Sequence, residues 1–283
     1  MDSERIAREN GLKRVGERPP FISYLRDAFS RRDFAWTMAS YASQSASARN
    51  RLGRWWMILT PAIQGATYGL IFGVILGAAN RPSSYIEFLF VGVFLFGFMS
   101  GAINTGATAV TGNAGLVKSL SFPRVLLPIS TAIQQLINLI PQLAIMLLTI
   151  LVAGNPITWN FILLIPAVAL LFLFACGVAM FAARVTVQFT DITKLLPFFL
   201  RIMFYTSGIF FSLEKVLADH KLWFQVAQVN PFYAFIQLVR GLLIKGYEAT
   251  GELWLICAGW AIILPLVGVL FFWKAEERYG RED

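Results

Sequence analysis

Four long stretches of this chain carry no charge, and their lengths limit its fold more than any other feature. Between Arg54 and Arg81 lie 26 uncharged residues, and between Glu87 and Lys118 lie 30. The gap from Arg124 to Arg184 holds 59, and that from Glu252 to Lys274 holds 21. A helix needs about 20 apolar residues to cross ~30 Å of hydrocarbon. Charged residues make up only 14% of the 283, against about 25% in a soluble domain. The expected fold class is an all-α, polytopic membrane protein.

The 59-residue gap is too long for one helix. Gly154-Asn155-Pro156 divides it into stretches of 29 and 27, which reads as a tight hairpin between two spans. Six transmembrane helices are expected, near 56–77, 86–109, 127–152, 159–183, 195–213 and 254–273. An even number puts both termini on one side. That side collects 19 of the 24 Lys and Arg residues, and the other holds Arg81, Lys215, Lys221, Arg240 and Lys245. Positive charge favours the cytoplasmic side, so both termini are expected in the cytoplasm. The segment between spans five and six, about 214–252, has an uncharged run at 222–239 with Gln225, Gln228, Asn230, Pro231 and Gln237 inside it. Two short helices dipping into the outer leaflet, broken at Asn230-Pro231, fit this better than a seventh span, which would worsen the charge bias.

Residues 1–20 are charged, end in Pro19-Pro20 and read as a disordered cytoplasmic leader with no cleavable signal peptide. Residues 21–54 read as an interfacial segment. Phe21, Tyr24, Leu25, Ala28, Phe29 and Trp36 fall on one helical stripe, with Arg26, Arg31, Arg32 and Asp33 largely off it. That pattern describes an amphipathic helix in the cytoplasmic membrane interface, or else a loosely structured basic leader.

Several function classes are excluded by what is missing. Cys176 and Cys257 both lie in apolar runs, and His220 is the one histidine, so no metal site or imidazole triad is supported. No GxxxxGK[ST] phosphate loop occurs. No paired carboxylates mark a hydrolytic centre, so no catalytic residue is assigned. The net charge of +8 follows from residues flanking spans and does not imply nucleic acid.

Polar groups inside spans are expensive and are functional candidates by default. Arg201 shares a face of span five with Phe198, Ile202 and Tyr205. It either faces a hydrated pathway or snorkels to the cytoplasmic headgroups. Ser100, Asn104, Thr108 and Thr111 form a polar stripe ending span two, beside a small-residue stripe of Gly97, Gly101 and Thr105 suited to close packing. Tyr68, Phe72, Phe198 and Tyr205 are the aromatics best placed to stack on sugar faces, with Asn104 and Arg201 as polar partners.

The link between spans two and three runs from Asn113-Ala114-Gly115-Leu116-Val117-Lys118 to Phe122-Pro123-Arg124, a short helix closed by prolines. It resembles the coupling-helix region of ABC-2 type permeases that export O-antigen, capsule, teichoic acid and related polysaccharides. Further likenesses lie at Leu52-Gly53-Arg54-Trp55-Trp56 with Pro61, at Arg184 with Asp191-Ile192, at Asn230-Pro231-Phe232 with Arg240-Gly241, and from Phe271 to Glu277. Together they place an ABC-2 transmembrane domain at about 55–279. The resemblance implies a half-transporter: a homodimer in the cytoplasmic (inner) membrane, with two copies of a soluble ATPase that carries the ATP and Mg. It assigns ATPase coupling to Arg31, Arg32, Asp33, Asn113, Gly115, Leu116, Lys118, Phe122 and Arg124. Spans one and five would line the route of a lipid-linked glycan, and Asn230, Pro231, Phe232 and Arg240 would form an external gate. The stretch 39–51, with fewer basic residues than the family carries there, and Thr111-Gly112-Asn113 look most like the actinobacterial branch, whose cargo would be a lipid-linked galactan. The competing readings are an exporter of a small amphiphile or antibiotic, a membrane-embedded glycan or lipid transferase, and a scaffold for synthases.

Overall fold

A computed structural model describes residues 19–48, 55–75 and 84–276, and no strand occurs among them. The expectations for the leader at 1–18, for Leu52-Gly53-Arg54 and for Glu277 onward lie outside the described residues. Two helices, α1 (Phe21–Ser30) and α2 (Arg32–Ala48), come first. They are followed by α3 (Trp56–Ile75), α4 (Tyr85–Ala107), a short α5 (Ala114–Ser119), α6 (Leu126–Val152) and α7 (Leu164–Gln188). Then come α8 (Ile192–Thr206), one turn of α9 (Leu213–Val216), α10 (Lys221–Val229), α11 (Pro231–Leu243) and α12 (Gly251–Lys274).

Among the described residues, four helical segments are long and apolar enough to cross a membrane: Tyr85–Ala107, Leu126–Val152, Trp159–Gln188 and Gly251–Lys274. Helix also occupies Trp56–Ile75 of the first expected stretch and part of the fifth, which differs from expectation. It starts at Ile192 and stops at Thr206, instead of running over 195–213. Fifteen residues rise about 22 Å, short of a ~30 Å core. The physical cause is local: Gly208 takes φ +63°, the left-handed conformation that ends helices, and the chain turns back on itself.

α4 is the central element. It is apolar except for Glu87 in its first turn and the Ser100, Asn104 and Thr105 region, and most of its residues from Phe88 to Ala107 are buried by α3, α6, α7, α8 and α11. α6, α7 and α12 instead leave large apolar side chains uncovered, among them Ile140, Leu148, Ile165, Leu255 and Leu266. Such a surface is stable against hydrocarbon and costly in water, at about 25 cal/mol per Å². α7 and α12 cross most closely at Gly177, where any Cβ would run into the backbone of Leu264 and Pro265. The absence of a side chain there lets two helices meet backbone to backbone.

The expected breaks are present, and each has a visible cause. Asn155, in the hairpin after α6, is buried; its amide donates to Ile150 O at 3.2 Å and Glu87 Oε1 at 3.4 Å, and its Oδ1 accepts from Lys245 N at 3.0 Å. The hairpin, the first turn of α4 and the segment after α11 are thereby pinned together. At the α10–α11 break, Asn230 Oδ1 accepts from Phe232 N at 3.0 Å, and Pro231 takes the first helical position, where no N–H is needed.

The aromatic stripe on α1 and α2 divides, where the sequence led us to expect a single face. Tyr24 and Ala28 turn inward with Ala35, Ala39 and Ser43, and α2 lies along α6 on these small residues. Leu25, Phe29 and Trp36 remain exposed together with Ile22. Within α1 the two sides are already separate, Tyr24 and Ala28 on one and Leu25 and Phe29 on the other; at Arg31 the helix is interrupted, and its guanidinium binds Asp27 at 3.0 Å and donates to Ser121 O at 2.9 Å.

Candidate functional site

Helical spacing builds one wide-mouthed cleft of about 480 Å³ between α3, α4 and α8. Phe96, Ser100 and Asn104 come from α4 at four-residue steps, so they stand one above another on one face. α8 supplies Pro197, Leu200, Arg201, Phe204 and Tyr205, at three- and four-residue steps, and α3 supplies Tyr68. Four of the six residues expected to line a pathway therefore meet: Tyr68, Asn104, Arg201 and Tyr205. Phe198 does not line the cleft; it points outward with 66% of its surface exposed. Phe72 lies on α3, but its side chain falls outside what is described.

The chemistry of the cleft is mixed. Arg201 has neither an ion pair nor a hydrogen bond among the described residues, and it shares the wall with the Asn104 amide and the Ser100 hydroxyl. Ser100 Oγ donates to Gly97 O at 3.2 Å, which leaves its oxygen free to accept. A guanidinium, an amide and a hydroxyl beside aromatic rings suit a ligand with both hydroxyl-rich and anionic parts. Gly101 and Thr105 face the other way, as close packing requires: Gln135 of α6 lies against Gly101 and donates to Thr105 Oγ1 at 3.5 Å.

Two cleft aromatics were not singled out from sequence. Phe204 is the hub, with ring centroids 5.6 Å from Tyr68, 5.0 Å from Phe96, 5.6 Å from Tyr205 and 5.0 Å from Phe210. Phe96 continues the chain of rings to Phe232 of α11 at 5.3 Å, and Phe232 passes it to Phe174 at 6.4 Å. The four-residue step from Phe96 through Ser100 to Asn104 was the available signal for Phe96. The link to Phe232, 136 positions further on, had none.

Arg240 of α11 is fully buried. Its Nε and Nη2 donate to Phe88 O at 3.2 and 2.8 Å, Nη1 to Gly208 O at 2.8 Å and Gln237 Oε1 at 3.2 Å, and Nη2 to Ile209 O at 3.2 Å. The guanidinium carbon also stands 3.2 Å from the Phe88 ring centroid. Arg240 thus replaces the helix bonds that α8 gives up at Gly208 and joins that turn to α4 and α11. Asn230 and Pro231 line a second, apolar cleft of about 660 Å³ with Met203, Leu222, Gln225, Val226, Val229 and Trp260.

The residues expected to meet an ATPase fall into two groups. Arg32, Asp33, Gly115 and Lys118 are exposed, Leu116 and Asn113 are half-buried, and Asn113 Nδ2 holds Ala109 O at 2.8 Å. Arg32 lies 4.9 Å over the Phe29 ring. The rest are engaged within the chain: Arg31 with Ser121, Phe122 with Phe34 at 4.9 Å, and Arg124 with Glu276 O at 2.6 Å. Among the described residues no group of three His, Cys, Asp or Glu side chains is arranged to hold a metal ion.

A family model described as "ABC-2 type transporter" matches residues 35–244, which contain the whole cleft. The chain is 24% identical to the O-antigen export system permease protein RfbA of Myxococcus xanthus, over 86% of this chain and 94% of that protein. It is 26% identical to the polysialic acid transport protein KpsM of Escherichia coli, over 80% and 87% respectively. A second RfbA, from Klebsiella pneumoniae, is 22% identical over 81% and 86%.

Proposed function

Because this chain belongs to the ABC-2 type transporter family, we propose that it is the membrane permease subunit of an exporter for a lipid-linked polysaccharide. The observation that carries this reading is the family match across residues 35–244, supported by relatives whose names specify O-antigen export and polysialic acid transport. The cleft supports the same class of cargo. Tyr68, Phe96, Phe204 and Tyr205 offer ring faces to sugar C–H groups, and Ser100, Asn104 and Arg201 offer hydrogen bonds to hydroxyl and acidic groups. A galactan is the specific cargo that the 39–51 and Thr111-Gly112-Asn113 patterns favour.

In the full assembly two copies of this chain face each other in the cytoplasmic membrane, each crossing six times with both termini inside. A separate ATPase binds beneath each copy at Arg32, Asp33, Gly115 and Lys118. ATP-driven closure of that subunit displaces α5, and the packed helices carry the displacement to α10 and α11 on the outer side. Energy enters only through contacts that differ between the two states, and the exposed cytoplasmic helices provide them. The test is a pull-down of the tagged chain in mild detergent, assayed for ATP hydrolysis and for glycan accumulation in cells depleted of it. A stoichiometric ATPase with turnover, lost on Lys118→Glu, is the expected result. A chain that purifies alone, with no hydrolysis and no accumulated glycan, overturns the reading.

A further inference from the structure

At the end of α12 remote parts of the chain converge on one buried carboxylate. Tyr24 of α1, only 1% exposed, donates its hydroxyl to Glu276 Oε2 at 2.9 Å, and that hydroxyl accepts from Val125 N at 3.2 Å. Glu276 Oε1 accepts from Arg124 N at 3.2 Å and stands 3.9 Å from Arg124 Nη1, which donates to Glu276 O at 2.6 Å. One turn earlier, Trp273 Nε1 donates to Pro19 O at 2.9 Å, and its ring meets Phe21 edge-on at 5.3 Å.

Segments at 19–24, 124–125 and 273–276 are thereby fastened together, and Glu276 is the group that binds both Tyr24 and Arg124. Nothing in the cleft requires this junction. It lies instead where α5 hands the chain to α6, and Arg31 and Phe122 tie α1 and α2 to the same stretch. Burial raises the Glu276 carboxyl above its ordinary range, and the bonds from Arg124 N and Tyr24 draw it back down. A buried carboxyl of that kind holds its geometry only with all its partners present.

We propose that Glu276 is a positioning residue that clasps α1 and the coupling segment to α12, so that displacement of α5 reaches the outer side through α12. The route onward is packed: α12 lies along α7 and against α11, and Phe232 of α11 stacks on Phe96 in the cleft. This rests on the half-transporter reading above, in which α5 is the element the ATPase moves. A residue that only held the fold together would, when altered, lower export and ATP hydrolysis together with the yield of folded complex. A residue in the transmission route separates export from hydrolysis.

The experiment purifies the complete permease–ATPase complex as wild type, Tyr24→Phe, Glu276→Ala and Glu276→Gln, and measures ATP hydrolysis by each complex and glycan export in cells. Tyr24→Phe removes one oxygen and keeps the ring, so it preserves packing even where Glu276→Ala impairs folding. The expected result is hydrolysis within about twofold of wild type in Tyr24→Phe and Glu276→Ala, export reduced about tenfold, and export only partly restored in Glu276→Gln, whose amide keeps one of the two acceptor oxygens. Unchanged export in Tyr24→Phe, or hydrolysis and export falling in parallel in an intact complex, overturns the proposal. Absence of hydrolysis in the wild-type preparation overturns the half-transporter reading itself, and the clasp with it, before any variant is compared.

Discussion

Arg240 offers the most demanding test of this structure, because a fully buried cation with five hydrogen bonds and no carboxylate in ion-pair range among the described residues must justify its position. Arg240→Met keeps most of the volume and removes every donor. Three backbone carbonyls, of Phe88, Gly208 and Ile209, then lose their partner. At about 1–3 kcal/mol for each buried group left unsatisfied, the gross cost is about 3–9 kcal/mol. Two effects reduce it. Hydrogen bonds between helices in membranes average only about 0.6 kcal/mol, because freed groups find other partners. Replacing a buried charge by an apolar group also removes a desolvation cost. A net loss of about 2–5 kcal/mol remains. At about 2–4 °C per kcal/mol for a chain of this size, the melting temperature in detergent falls by at least about 4 °C. A second readout locates the damage. Ser207 is fully buried beside the turn, so the thiol introduced by Ser207→Cys should resist labelling alone and become reactive when combined with Arg240→Met. An Arg240→Met protein that melts within about 1 °C of wild type, with the introduced thiol still protected, refutes the argument that Arg240 holds the end of α8.

Further predictions concern the close crossing and the cleft. Gly177→Ala puts a methyl group against the α12 backbone at Leu264 and Pro265, which cannot yield as a side chain does. A destabilisation of about 1–3 kcal/mol is expected, seen as a lower melting temperature and reduced monodisperse yield; a neutral effect would mean that α7 and α12 do not approach as closely as described. Arg201→Ala removes the unpaired cation of the cleft and should lower export at least about tenfold while the ATPase still co-purifies. Normal export in that variant would assign Arg201 to headgroup contact instead.

Periodicity and charge-free length carry part of this structure and leave the rest open. Charge-free length was enough to place helix in five of the six expected stretches, the fifth carrying Arg201, and Asn230-Pro231 was enough to place the break before α11. The three- and four-residue steps put Ser100 and Asn104 on one face of α4, and Arg201 and Tyr205 on one face of α8, without saying that the two faces meet. The end of α8 was not legible, because residues 207–213 are as apolar as a continuing helix would be. What stops it is the left-handed Gly208 together with an arginine 32 positions away that takes over its carbonyls.

The sequence by itself determined that this is an all-helical membrane chain, the order of its helices, and the face on which each polar group sits. Those properties are local: they depend on residues within a few turns, and helix geometry converts spacing into direction. Only the tertiary structure decided which face meets which. Whether Tyr24 faces lipid or protein depends on Glu276, 252 positions later, and whether Arg240 lines a gate or caps a turn depends on Phe88 and Gly208. An amphipathic pattern fixes the rotation of a side chain about its own helix axis. It carries no information about the rotation of a distant helix, which is settled when buried polar groups compete for the few partners that packing allows.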